Sequence, residues 1–112
     1  MITDLSYLNS MAGGDPSFIK EMIDIFKAQI EEYKVEMPEL LSKKEYVLLS
    51  KLAHKAKSSV AVMGMTKEAD ILKDLETKAK ESIDTSSYEE MINLVLSNSE
   101  LAVKELESSL NK

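Results

Sequence analysis

Hydrophobic residues recur along this chain at steps of three and four, the spacing that gathers side chains on one face of an α-helix. A short first helix is predicted from Asp4 to Met11, with Leu5, Leu8 and Met11 on one side. Gly13-Gly14 then frees the backbone for a C-terminal cap. Asp15-Pro16 is a start signal, because Asp15 can accept orphan amides and Pro16 suits the first helical position. The second helix carries Ile19, Ile23, Phe26, Ile30, Tyr33 and Met37, and Phe18, Met22 and Ile25 widen that stripe. Pro38 has no amide to offer the carbonyl of Lys34. The pattern resumes at Leu40 and Leu41, which predicts a kink rather than an end.

The third helix is expected to start near Lys44 or Glu45 and to run to about Gly64, which caps it, with Thr66 as N-cap of the next. That fourth helix shows Ala69, Leu72, Leu75, Ala79 and Ile83 on one face. Asp84-Thr85-Ser86 separates it from a fifth bearing Tyr88, Met91, Ile92, Val95, Ser99, Ala102, Leu106 and Leu110. No stretch alternates with period two. The expected fold is all-α, an antiparallel four-helix bundle with an additional short N-terminal helix.

Composition narrows this further. The 112 residues make one domain spanning 1–112, and 44% hydrophobic with 30% charged content suits a helical globule. The absence of cysteine excludes disulfides and thiolate metal sites. The Met1-Ile2-Thr3-Asp4 start lacks the pattern of a signal peptide, and no apolar run approaches the ~18 residues of a membrane span. A cytoplasmic protein without membrane contact is expected. A formal net charge of -6 argues against nucleic-acid binding. One bundle uses all the apolar stripes, so a monomer is expected.

Chemistry concentrates at His54, the only histidine. Between Lys43 and Lys57 stand five lysines and one acid, Glu45, a basic island in an acidic chain. Such surroundings suit a ring that handles an anion. At ~100° per residue, Leu49, Leu52, Ala53, Ala56, Val60 and Met63 share one face of the third helix. His54 lies roughly 150° from the middle of that face and is predicted to be exposed. Its neighbours one or two turns away are Val47, Ser50, Lys51, Lys57, Ser58, Ala61 and Met65. Charge near the ring, then small or apolar side chains, marks a docking face formed by Val47, Lys51, Lys55, Ala61 and Met65. The alternative is that a neighbouring helix covers Ala61, Val62 and Met65.

The segment Ala53-His54-Lys55-Ala56-Lys57-Ser58-Ser59, with Gly64 ten residues after the histidine, resembles the histidine-containing phosphotransfer (HPt) domain. Gly13-Gly14-Asp15, Phe26 and Leu75-Glu76 also stand where that family's pattern places them, so the resemblance covers nearly the whole chain. It implies that His54 accepts and donates a phosphoryl group on Nε2, and that Lys57 helps neutralise the phosphoryl oxygens. Glu76 matches a Glu or Gln position facing the ring and would orient it, directly or through water. The residue four after the histidine is commonly glycine in the family. Here Ser58 stands there, still small, with a hydroxyl within reach of the ring or the phosphate. General chemistry agrees: imidazole, with an unperturbed pKa of ~6.5, offers a neutral nucleophilic nitrogen near neutral pH. A lysine one turn on acts as a point charge on phosphate, while Lys51 and Lys55 are placed to steer an acidic partner.

The leading expectation is a phosphorelay carrier in two-component signalling. Its partners would be response-regulator receiver domains, including that of a hybrid histidine kinase. Mg²⁺ would sit on the receiver, with no cofactor on this chain. No Gly-rich phosphate loop accompanies the histidine, so no kinase activity is expected. A histidine-kinase dimerisation domain fits less well, because Lys55 and Ser59 stand where that family has an acid and a proline. The second reading is a non-catalytic helical adaptor that binds a receiver or kinase without carrying phosphate. Hydrolysis by His54 with a carboxylate is a remote third, since such chemistry normally sits in a concave pocket.

Overall fold

The computed structural model describes residues 3–110, with side chains up to residue 108. Every regular element within that range is helical: α1 (Ser6–Ala12), α2 (Pro16–Ser42), α3 (Tyr46–Val62), α4 (Thr66–Glu81) and α5 (Tyr88–Leu110), with a 3₁₀ turn at Thr85–Ser87. Helix α3 packs on α4, α2 on α5, α2 also on α3, α4 also on α5, and α1 on α2. The α2 stripe is buried from Ile23 through Phe26, Ile30 and Tyr33 to Met37, and it meets Leu49, Leu52, Leu72, Leu75, Ile92 and Leu106 in one core. None of the described helices is long and apolar enough to cross a membrane.

The start signals read from sequence operate as expected. Asp15 accepts the Ser17 amide at 2.9 Å, Pro16 opens α2, and Gly13 closes α1 in the left-handed region. Helix α2 continues through Pro38 to Ser42, and Leu40 and Leu41 are half-buried beyond it. Other expectations need correction. Helix α1 begins at Ser6, because the Asp4 carboxylate instead takes the Ser6 amide and hydroxyl just ahead of it. Met11 and Ile25 are exposed, each at the edge of its stripe where no neighbouring helix reaches. Thr66 is the first residue of α4, not its cap, and Met65 stands before it. Helix α4 ends at Glu81, where Ser82 adopts a positive φ and turns Ile83 out to solvent. The Leu110 side chain, expected on the α5 stripe, lies outside the described residues.

Two turns frame α3. After α2, the chain passes through Lys44 at a φ of 57°. After α3 it passes through Gly64 at 73°. At the second turn the Gly64 amide donates to Ala61 and the Met65 amide to Val60, the paired bonds of a Schellman motif. The Asp4 amide donates to the Met63 carbonyl at 3.0 Å, so the N-terminal segment crosses directly over this turn. A Cβ at position 64 would collide with the Asp4 backbone. Glycine is therefore required here for both conformation and space.

Candidate functional site

Helix α3 buries Leu49, Leu52, Ala53, Ala56 and Val60. This fixes its rotation and turns His54 outward, with 63% of its side chain exposed. The ring stands beside α4, where Glu76 is held mostly out of water at 27% exposure. His54 Nδ1 lies 3.0 Å from Glu76 Oε2, and Lys57 Nζ donates to Glu76 Oε1 at 3.2 Å. One carboxylate thus serves two bases that are a single helical turn apart. A carboxylate is an acceptor, so Nδ1 carries the proton in this contact. In the neutral ring the lone pair then belongs to Nε2, the nitrogen directed away from α4.

Burial works against the charged form of Glu76. The hydrogen bond and charge of Lys57, followed by those of His54, outweigh it and hold the carboxyl below its ordinary value of 4.5. Glu76 is accordingly an anion at neutral pH, which keeps the proton on Nδ1.

The sequence-predicted residues divide clearly. His54, Lys57 and Glu76 come together, and Glu76 contacts the ring directly rather than through a water. Ser58 is exposed one turn on and makes no hydrogen bond to the ring. Val47, Lys51, Lys55 and Ala61 are exposed on the same helix. Met65 is not: it is fully buried, which removes it from the predicted docking face. Its placement assumed that α3 continues past Gly64, whereas the Schellman turn folds the Met65 side chain back toward buried Val60 and the core.

Ser50 was also expected on the exposed face, yet it is 6% exposed, and its hydroxyl donates to the Glu76 backbone carbonyl at 2.7 Å. Sequence reading missed this bond, since nothing in a single chain shows which edge of α3 a neighbouring helix covers. On the other side of α3, the buried Tyr33 hydroxyl meets Ser59 Oγ at 3.0 Å. Among the described residues no cluster of three His, Cys, Asp or Glu side chains could hold a metal ion.

Comparison with protein-family models, curated proteins and solved structures finds no match to this chain.

Proposed function

We propose that this chain is a phosphorelay carrier of the HPt type, taking a phosphoryl group onto His54 from a receiver-domain aspartate and passing it to another receiver. The observation that carries the reading is the arrangement of the ring. Nδ1 is engaged by Glu76, and the ring is otherwise exposed with a lysine beside it. The sequence resemblance points to the same residues.

The fold reading that goes with it is an antiparallel four-helix bundle. Its support is the order of the cross-helix contacts, which pair ascending with descending positions. Lys27 meets Glu107 and Lys34 meets Glu100 between α2 and α5. Tyr33 meets Ser59, Ser50 meets Glu76, and Glu68 meets Asn98 across the other pairs.

The chemistry balances without a cofactor on this chain. The Nε2 lone pair attacks phosphorus, the bond from phosphorus to the aspartyl oxygen breaks, and the receiver's carboxylate leaves with that electron pair. Nδ1 keeps its proton, so the phosphorylated ring becomes cationic, and the Glu76 carboxylate offsets that charge. Lys57 exchanges its contact with Glu76 for the phosphoryl oxygens. The receiver supplies Mg²⁺ and the acidic pocket, and a convex helix face is the shape such a pocket can enclose. Onward transfer reverses these steps on a second receiver. Val47, Lys51, Lys55 and Ala61 form the surface on which the receiver seats, and the cytoplasm is where such partners reside.

The test is incubation with a phosphorylated receiver. Acid-labile, base-stable label is expected on the wild-type chain. It should be absent from His54→Gln, whose helical circular dichroism stays unchanged because an exposed ring contributes little to stability. A wild-type chain that binds the receiver without acquiring label would leave the adaptor reading in its place.

A further inference from the structure

We infer that Ser50 is a positioning residue for His54, acting through Glu76; its consequence for transfer rests on the carrier reading above. Ser50 is buried and cannot meet a partner or a phosphoryl group. Its hydroxyl instead donates to the backbone carbonyl of the residue whose carboxylate holds both His54 and Lys57. Glu76 therefore touches α3 at three points, once through its backbone and twice through its side chain.

This bond is not needed to satisfy the helix. Glu76 lies inside α4 (Thr66–Glu81), where its carbonyl already serves the helical ladder, and the hydroxyl occupies the remaining lone pair. Alanine fills the neighbouring buried positions 53 and 56 of α3, so a hydroxyl at 50 is a choice that costs free energy unless paired. What the bond adds is axial register. A slip of one residue moves a helix by about 1.5 Å and turns it by about 100°, more than a 3.0 Å contact between Nδ1 and Oε2 tolerates. Helical side chains lean toward their own N-terminus. With α4 returning along α3, the Glu76 side chain leans from the level of Ser50 toward His54 and Lys57. Fixing the backbone at Ser50 thus aims the carboxylate at the ring.

The Tyr33–Ser59 bond is the internal control. It also links α3 to a neighbour through hydroxyls, but touches neither His54 nor Glu76.

The experiment follows the ¹⁵N signals of the His54 imidazole in its neutral form, alongside labelling by a phosphorylated receiver. Wild type should show the Nδ1–H tautomer. Ser50→Ala should populate both tautomers and slow labelling by about tenfold. Ser50→Thr, which keeps the hydroxyl, should restore both readouts. Ser50→Cys, nearly the same size but a weak donor, should behave as the alanine variant does and guards against a packing defect in it. Tyr33→Phe should lower thermal stability without moving the tautomer. The inference is overturned if Ser50→Ala and Ser50→Cys keep the wild-type tautomer, or if Tyr33→Phe shifts it equally. A tautomer shift in a chain that never accepts label would uphold Ser50 and sink the carrier reading instead.

Discussion

The two flanks of the molecule use charge differently. Where α2 meets α5, Lys27 pairs with Glu107, and Lys34 pairs with both Glu100 and Glu31, every partner at least 37% exposed. Lys27 and Lys34 each have an acid, and the shallow groove of about 300 Å³ between the two helices is lined by three lysines and three glutamates, of which Lys104 has no ion pair among the described residues. Where α3 meets α4, the ratio is inverted. A single half-buried acid, Glu76, answers both Lys57 and His54, while Lys51 and Lys55 have no ion pair among the described residues. The first flank is balanced in sign along its groove. The second keeps positive charge without an ion-pair partner around the exposed ring of His54. If His54 carries the phosphoryl group as proposed, the charge left over after pairing around it marks the site better than the number of ion pairs does.

Substitutions at the shared acid press hardest on that contrast. Glu76→Ala, which removes the acceptor for Nδ1, should slow phosphoryl transfer by about 10- to 100-fold, the size of loss seen when the partner that orients a metal-bound imidazole is removed. An unchanged rate would place Glu76 outside the mechanism. Glu76→Gln, which keeps the shape and the acceptor oxygen but loses the charge, carries a pH signature. Because the folded carboxyl sits below 4.5, the unfolded chain takes up its proton first as pH falls. The stability that ionised Glu76 contributes is therefore complete above 4.5, shrinks as pH drops toward the folded value, and is gone below it. Melting wild type and Glu76→Gln side by side should show their difference closing across that acid window. A difference that grew there would reverse the assigned shift.

Lys57→Ala comes next, with an expected loss of about tenfold in transfer, since one charged donor to the phosphoryl oxygens is removed. The loss should diminish as salt rises, because ions screen the charge. Equal rates for variant and wild type at every ionic strength would remove Lys57 from the proposal. The smallest effect is expected on the opposite flank. Lys34→Ala breaks two exposed pairs and should leave denaturant unfolding almost unchanged, with transfer untouched. Slower transfer in this variant would mean that the α2–α5 flank is not the inert reference it is taken for.

Much of this arrangement is legible in the sequence. Helix identity followed from apolar spacing, the start of α2 from Asp15-Pro16, and the outward direction of His54 from its angle to Leu49, Ala53 and Ala56. All of these are local properties of a helical chain. The failures share one physical source, which is that a residue's surroundings are decided by its neighbours in space. Ser50 was placed in solvent because its own helix says so, and α4 covers it. Met65 was extended from α3 because the 100° rule does not know that the helix has ended. Gly64 was recognised as a cap, but the strand of chain at Asp4 that makes any side chain there impossible lies 60 positions earlier in sequence. Lys44 and Ser82 adopt the left-handed conformation without the glycine that would announce it.

The most direct measurement is to identify which nitrogen of His54 bears phosphorus after exposure to a phosphorylated receiver, from nitrogen–phosphorus coupling on ¹⁵N-labelled protein. The account predicts phosphorus on Nε2, with a proton retained on Nδ1 against Glu76. Phosphorus on Nδ1, or an imidazole that stays unmodified while the receiver turns over in its presence, would contradict it.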